Sequence, residues 1–410
     1  MATFILAANL QSSFLPVFTK ELLVNHTFLD TLFPESILIG LPITLYMIMV
    51  TSTLMFLGSS YCSVKPYKAL LIGLVCAAAG FIACGFAINI IHLIAGRMLC
   101  AVGFSMIVFY CRKYIVENSK PQNRARHLAG YTAAFSGGML CSIVVGGIIK
   151  EYFSYQVVFF LSAVMLLIVL KFAHMVFKDY GNEIDLMGEK QGKGDLNEKP
   201  VEKKVEKNIA LFARLLFRDG ELVSIFIQGI VTRIIFIGFF YYTMPIFLRN
   251  YFSFSDVGRI MMFYAISSIL LSTWLNKFVK GTKDSVWGIF ISNMVLGASM
   301  CIFMLLDLSN ILNIIIVSIA VLFVLGISNS ITFPSQVNLL LETKTAKEMG
   351  IDTPMAVFQS IERVGSALGP IVFGALSVWL DTRQTIGCVG SLCLVSAIAF
   401  LLAYRKRVMS

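Results

Sequence analysis

Two stretches of the sequence carry the same spacing of small residues. Residues 138–147 read Gly-Met-Leu-Cys-Ser-Ile-Val-Val-Gly-Gly, and residues 365–374 read Gly-Ser-Ala-Leu-Gly-Pro-Ile-Val-Phe-Gly. Small residues at every fourth position let two helices approach closely within a membrane. Such stripes are common in membrane bundles, but each of these lies in the fifth apolar run of its half, which favours an internal repeat. The repeat pairs these helix-packing positions: Gly138 with Gly365, Ser142 with Gly369, Ile143 with Pro370, and Gly147 with Gly374.

The whole chain is too apolar for a water-soluble protein. Of its 410 residues, 58% are hydrophobic and 14% are charged, whereas soluble domains are about 45–50% apolar and about 25% charged. This composition excludes a disordered chain, a secreted disulfide scaffold and a cytosolic enzyme. The cysteines show no C-x-x-C spacing and the four histidines are scattered, so we expect no metal site and no cofactor.

Twelve apolar stretches are long enough to cross a bilayer core about 30 Å thick, which takes about 20 residues of helix. They are twice as long as β-barrel strands, which run to about ten residues. With both termini in the cytoplasm, the inner segments hold 24 Lys and Arg residues and the outer segments hold four, as the positive-inside rule requires. We predict an all-α polytopic membrane protein with these twelve helices: 4–20, 36–57, 69–89, 91–113, 128–149, 155–177, 221–248, 256–276, 285–307, 311–341, 354–380 and 384–404.

Charged residues interrupt the apolar pattern once, at residues 178–220. We interpret this segment as a flexible cytoplasmic linker in preference to a lipid-binding or regulatory contact. It divides the chain into an N-terminal six-helix bundle at 1–177 and a C-terminal six-helix bundle at 221–410.

This layout resembles the major facilitator superfamily (MFS). Residues 365–374 are similar to the glycine-proline motif that the superfamily carries in its fifth helix, here better preserved in the eleventh. Arg97, followed by Gly103, is similar to the fourth-helix arginine motif, with Ala101 where a glycine is usual. The motif between the second and third helices is degraded, with Cys62 where an aspartate is usual. The resemblance implies two pseudo-symmetric bundles that move a solute across the membrane.

A weaker resemblance is to bacterial facilitator domains that are fused to signalling modules. It rests on Phe14-Leu15-Pro16, Leu41-Pro42 and Glu362-Arg363-Val364-Gly365. The chain also begins directly in its first span, so we expect either a shortened gene product or a domain excised from a larger protein.

Glu362 is the one acidic residue that lies well inside a predicted span. It lies about 12 Å along its helix, and Arg233 lies about 18 Å in from the same side. An ionisable group at such depth is a functional candidate by default. We therefore predict Glu362, Arg233 and Arg363 as a proton-coupling or gating group. A permanent structural ion pair of Glu362 with either arginine is an equal alternative.

Arginine outnumbers acid inside the spans, which favours an anionic or zwitterionic solute because guanidinium binds carboxylate and phosphate. The resemblance implies that the first and fourth helices of each half line the cavity. Packing against helix ends or extension toward the membrane surface is an equal alternative for Arg97, and helix-to-helix hydrogen bonding is the simpler interpretation of any single polar residue. The predicted substrate-binding residues are Gln11, Arg97, Arg233, Tyr241, Tyr242, Asn329, Gln336 and Gln359.

No nucleotide-binding or catalytic motif occurs in the sequence, so we expect neither an enzyme nor a pump driven by ATP. We predict a secondary active transporter, with protons as coupling ion, that acts as a monomer in the bacterial cytoplasmic (inner) membrane and binds no nucleic acid. Two alternatives stay open: a membrane sensor that binds ligand without transport, and an exporter of amphipathic drugs or lipids.

Overall fold

The computed structural model describes residues 1–23, 31–59, 66–119, 121–191, 220–275, 281–306, 310–343 and 352–409. Within these ranges the chain forms helices and no strands. A backbone in hydrocarbon must satisfy its own hydrogen bonds, which an α-helix does within one segment. The predicted all-α class is confirmed.

The chain divides into two compact units. One comprises residues 1–27 and 45–203, and the other comprises residues 28–44 and 204–410. The sequence predicted that all of residues 1–177 belong to the first bundle. The structure instead assigns residues 28–44, which include the start of the second long helix, to the second unit.

The first unit is built from the helices of the N-terminal half. Its members are α1 (Ala2–Asn9), a 3₁₀ turn (Leu10–Ser13), α2 (Leu15–Leu22), the later part of α3 (Glu35–Ser59), α4 (Pro66–Gly85), α5 (Ile90–Asn118), α6 (Pro121–Tyr152) and α7 (Tyr155–Gln191).

The second unit repeats this order of elements and also contains the first part of α3. Its members are α8 (Gly220–Ile235), a π-helical segment (Phe236–Thr243), α9 (Met244–Arg249), α10 (Phe254–Leu275), α11 (Thr282–Leu305), α12 (Ile311–Glu342), α13 (Asp352–Leu376) and α14 (Thr382–Met409).

Among the described residues, ten helical stretches are long and apolar enough to cross a membrane, and the broken first helix raises the number to eleven. Helix α13, which corresponds to the predicted span 354–380, is not among them. It carries Glu362 and Arg363 within one turn. Twelve spans with both termini in the cytoplasm therefore stay a prediction.

Helix α7 extends further than the sequence indicated. It ends at Gln191, so residues 178–191 are helical where we expected the linker to begin. The segment contains no proline, and seven of its 14 residues are Glu, Lys, Leu, Met or Gln, which have high helix propensity. The rest of the predicted linker, 192–219, lies outside the described residues.

The first membrane-crossing helix of each half of the chain is irregular near its middle. In the first unit, α1 and α2 meet at 51° around the 3₁₀ turn. In the second, the π-helical segment lies between α8 and α9. Each irregular segment is followed by a proline in the first turn of the next helix, Pro16 in α2 and Pro245 in α9, where its missing N–H costs no hydrogen bond.

Gly138 of α6 marks a close crossing with α1. A Cβ atom added there would lie 2.5 Å from the carbonyl oxygen of Ala2 and 3.0 Å from the Cβ atom of Ile5. Further along α6, a side chain on Gly146 would overlap the carbonyl oxygen of Leu10. Glycine therefore permits this crossing at both points.

Gly365 of α13 makes the same pair of contacts with α8. A Cβ atom added there would lie 2.6 Å from the carbonyl oxygen of Ile230 and 3.0 Å from the Cβ atom of Arg233. In both units the glycine faces the carbonyl of one residue and the Cβ atom of the residue three positions later. Ile5 and Arg233 therefore occupy equivalent positions at the two crossings.

Candidate functional site

An ion pair joins α8 and α13 inside the second unit. Arg233 Nε donates to Glu362 Oε1 at 2.9 Å, and the side chains are 26% and 7% exposed, respectively. The guanidinium carbon of Arg233 also lies 5.4 Å from the centre of the Phe333 ring, within the range of a cation–π contact. The absence of a side chain at Gly365, one turn after Glu362, lets the two helices approach closely enough for this pair.

The sequence left the partner of Glu362 open between two arginines. The structure places the Arg233 guanidinium against the carboxylate, and Arg363 lies half-buried next to Glu362 on the same helix, where its charge also acts on the carboxylate. In this arrangement each charge stabilises the other in a medium of low dielectric constant. Removing either partner would weaken the electrostatic stabilisation of the other.

The polar residues of α12 contact two neighbouring helices. Asn329 Nδ2 donates to the Tyr264 hydroxyl of α10 at 3.2 Å. Thr332 Oγ1 hydrogen-bonds the Ser292 hydroxyl at 2.9 Å and accepts from Asn293 Nδ2 at 3.3 Å, both on α11. These groups connect helices to one another. The helix continues through Pro334 as far as Glu342.

Two fully buried glutamines have no such partners. Gln336 of α12 and Gln228 of α8 each carry an amide nitrogen and an amide oxygen that form no hydrogen bond with any described residue. Gln336 was predicted as a site residue, but Gln228 was not. The signal for Gln228 was present in the sequence, because a glutamine within the apolar run 222–231 has the same character as Gln336.

The predicted tyrosine pair lies in the π-helical segment. The Tyr242 hydroxyl donates to the Ser36 carbonyl oxygen of α3 at 2.5 Å. Tyr241 is buried and lies edge-on to the rings of Phe236 and Phe240. Gln359, also predicted, is half-buried on α13.

In the first unit, Arg97 of α5 is buried with an aromatic partner. It is 6% exposed, and its guanidinium carbon lies 4.2 Å over the Tyr46 ring. Its Nε and Nη1 atoms are buried and donate to no described residue. Arg97 is therefore enclosed by protein rather than extended toward the membrane surface, and sequence reasoning did not identify Tyr46 as its partner.

Gln11 lies in the 3₁₀ turn of the first helix and is 1% exposed. Its Nε2 atom donates to the Ala8 carbonyl oxygen at 2.7 Å. Its Oε1 atom accepts no hydrogen bond from the described residues. The helix break thus positions a buried acceptor in the first unit.

The predicted packing residues all lie at helix crossings or in the protein interior. Ser142 is buried and donates to the Met139 carbonyl oxygen of its own helix, and Gly147 is buried beside it. Cβ atoms on Gly369 and Gly374 would lie 2.8 Å from Gly238 N and 2.7 Å from the Ser36 carbonyl oxygen, respectively. The Cβ atom of Pro370 lies 2.9 Å from the position that a Cβ atom on Gly40 would take.

Residues 1–353 match the sequence profile of the Major Facilitator Superfamily. The chain belongs to this superfamily. Membership makes it a multi-pass membrane protein of a transporter family rather than an enzyme, in agreement with the resemblance on which the sequence analysis relied.

Solved structures show the same MFS fold at low sequence identity. The chain is similar to the nucleoside transporter NupG, with a TM-score of 0.71, 14% identity and coverage of 98% of this chain and 97% of that one. It is also similar to a D-xylose-proton symporter, with a TM-score of 0.66, 13% identity and coverage of 97% and 95%. At such identities these similarities concern the fold alone.

One curated relative shares part of the sequence. It is the riboflavin transporter RibZ of Clostridioides difficile (strain 630), which is 32% identical over 121 residues. The match covers 29% of this chain and 26% of that protein. The chain thus spans about a quarter of the length of this relative.

Proposed function

We propose that this MFS protein is a secondary active transporter that moves a small anionic or zwitterionic organic solute by alternating access and couples this movement to protons. It acts as a monomer in the bacterial cytoplasmic membrane. The Arg233–Glu362 ion pair is the observation that carries the proposal, because charges inside a membrane helix are costly and are retained where they serve ion or solute pathways.

The first unit supplies an internal comparison for this pair. Ile5 occupies the position equivalent to Arg233, and pairing Gly138 with Gly365 makes Phe135 the counterpart of Glu362. The first unit therefore makes the same helix crossing with two apolar side chains. Since the crossing does not need charge in order to pack, a role in transport accounts better for the charges of the second unit.

In the proposed cycle, the solute and Glu362 compete for Arg233. While the guanidinium faces the carboxylate, Glu362 stays ionised because the opposite charge favours that form. When an anionic group of the solute binds Arg233, the buried carboxylate loses its counter-charge and takes up a proton. Solute and proton then cross the membrane in a fixed ratio.

In each unit, other predicted binding residues also belong to this proposal. Arg97, Gln11 and Gln336 support it because each is buried with polar atoms that make no hydrogen bond to a described residue. Asn329 and Tyr242 already bond to neighbouring helices, so they contribute through shape more than through free polar atoms. The remaining members are Tyr241, Gln359 and Arg233.

Proton flux into liposomes that contain a pH-sensitive dye tests the proposal. The purified chain is reconstituted and exposed to anionic, zwitterionic and cationic solutes, together with riboflavin because of the partial similarity to RibZ. Acidification or alkalinisation that depends on an anionic or zwitterionic solute is expected. The response should be abolished by Glu362→Gln and retained by Asp256→Asn, which alters an exposed ion pair with Arg259.

Each alternative function gives a different result in this assay. A sensor would bind a solute without any flux. An exporter of amphipathic drugs would respond to lipophilic cations and not to anions. Solute-dependent proton flux that is unchanged in Glu362→Gln would remove this residue from the coupling mechanism.

A further inference from the structure

We infer that Gln11, Tyr46 and Arg97 form a solute subsite in the first unit that binds a hydrogen-bond acceptor and a donor side by side, as on the imide or lactam edge of a heterocycle. The inference deepens the proposed function and rests on it for its biological meaning. Binding at this subsite requires neither a pH gradient nor the Arg233–Glu362 pair.

Arg97 supplies the donors of this subsite. Its guanidinium carbon lies 4.2 Å from the centre of the Tyr46 ring, within the range of a cation–π contact. The buried Nε and Nη1 atoms make no hydrogen bond with any described residue. A buried donor without a partner is costly, so an acceptor is required at this point.

Gln11 supplies the acceptor. Its amide nitrogen is engaged with the Ala8 carbonyl oxygen at 2.7 Å, which fixes the orientation of the amide group. Its Oε1 atom is buried and accepts from no described residue. A ligand that satisfies Gln11 must therefore bring a donor of its own.

The two side chains lie at the same depth. The rings of Phe4 and Phe104 stack at 5.7 Å and so set the register between the first and fourth spans. Gln11 follows Phe4 by seven residues, and Arg97 precedes Phe104 by seven residues. Because these spans run in opposite directions, both side chains lie about 10 Å from the ring contact, on the same side of it.

The unpaired donors of Arg97 and the unpaired acceptor of Gln11 together determine which class of ligand can bind. A carboxylate offers acceptors only and would leave Gln11 Oε1 without a donor. An ammonium group offers donors only and would be repelled by Arg97. An imide or lactam edge places an N–H group beside a carbonyl oxygen and satisfies both residues, and paired hydroxyl groups are the other source of this chemistry.

Thermal unfolding of the purified full chain in detergent tests the subsite with three probes: uracil, 1,3-dimethyluracil and ribitol. We expect uracil to raise the unfolding midpoint, since a bound ligand stabilises the folded state. 1,3-Dimethyluracil keeps the carbonyl acceptors but has no N–H donor, so it should bind about tenfold more weakly or less well still. Ribitol tests the hydroxyl source.

Variants of the subsite should lose the response to uracil. Gln11→Leu removes the acceptor at similar volume, and Arg97→Lys retains the charge but loses the planar set of donors. Each should weaken uracil binding by about tenfold or more. Gln156→Leu, at an exposed position of the same unit, should bind uracil as the parent chain does.

The following results would overturn the inference. An absent response to uracil, an equal response to 1,3-dimethyluracil, or a response to ribitol alone would each exclude an imide or lactam subsite. Proton coupling without uracil binding would refute only this inference, and uracil binding without proton flux would refute only the proposed function.

Discussion

Arg233 and Glu362 hold opposite charges 2.9 Å apart at a helix crossing that the first unit makes with Ile5 and Phe135. Ile5 is fully buried, and Phe135 packs against the Phe104 ring with 6.4 Å between ring centres. The fold therefore accepts either an ion pair or two apolar side chains at this crossing. Comparing the two crossings therefore shows what the charges contribute beyond the packing of the helices.

Replacing one member of the pair should destabilise the protein. In Glu362→Gln, Arg233 loses its counter-charge, and the loss of one partner of a fully buried pair costs about 3–5 kcal/mol. Because the Arg233 side chain is 26% exposed, we expect a smaller loss, about 1–3 kcal/mol. The measurement is the thermal unfolding midpoint in detergent, with Asp256→Asn as control at an exposed pair, where about 0–1 kcal/mol is expected.

The double variant Arg233→Ile with Glu362→Phe should recover the stability that Glu362→Gln loses. It gives the second unit the side chains of the first, and apolar replacement of a buried ion pair is often neutral or stabilising. The same variant should show no solute-dependent proton flux. A double variant less stable than Glu362→Gln would mean that the two crossings are not equivalent.

Gly138 and Gly137 provide a matched test of the α1–α6 crossing. A Cβ atom on Gly138 would lie 2.5 Å from a backbone oxygen, whereas one on Gly137 meets nothing within 4 Å. Gly138→Ala should therefore cost about 1–3 kcal/mol through overpacking. Gly137→Ala should be neutral or stabilising by about 0.5–1 kcal/mol, because alanine is the better helix former. Equal unfolding midpoints for the two variants would contradict the close crossing.

Much of the fold was predictable because the membrane imposes strong rules on the sequence. Apolar runs long enough to cross a membrane predicted the all-α fold class. The glycine-rich stretches at 138–147 and 365–374 predicted the internal repeat of the two halves. The break at Leu10–Ser13 was not predictable, since an apolar run has the same appearance whether the helix is straight or bent. The extension of α7 to Gln191 was also missed, because charged residues were interpreted as a linker although they form helices well.

The candidate site was partly predictable for a similar reason. Intramembrane charges are rare, so Arg233, Glu362 and Arg97 were prominent in the sequence. Their partners were not, because Tyr46 and Phe333 are ordinary aromatic residues until the fold places them beside a guanidinium. Equally, no pattern in the sequence indicates that the Tyr242 hydroxyl donates to a carbonyl oxygen of α3.

Tyr242→Phe should weaken the contact between the π-helical segment and the start of α3. The variant removes the hydroxyl that donates to the Ser36 carbonyl oxygen, a loss of about 0.5–1.5 kcal/mol. Amide hydrogen exchange in residues 35–44 should become faster. Tyr251→Phe, at an exposed tyrosine of the same unit, is the control, and unchanged exchange in Tyr242→Phe would show that this hydrogen bond is not needed.

Three buried amides of the second unit allow a comparison of satisfied and unsatisfied polar groups. Asn293 donates to the Ile289 carbonyl oxygen at 2.8 Å and to Thr332, and its Oδ1 atom accepts from Cys393 Sγ. Gln228 and Gln336 make no hydrogen bond through their amide groups with any described residue. A buried polar group without a partner lowers stability by about 1–3 kcal/mol.

Opposite effects on stability follow for these positions. Asn293→Leu should lower the free energy of unfolding by about 1–3 kcal/mol, because Thr332 and the Ile289 carbonyl oxygen lose a partner. Gln228→Leu and Gln336→Leu should instead raise it by about 1–3 kcal/mol, because each removes an unpaired amide. If Gln336 contacts the solute, its variant should combine this gain with weaker solute-dependent proton flux, whereas a loss of stability in both glutamine variants would mean that their amides are hydrogen-bonded in the folded protein.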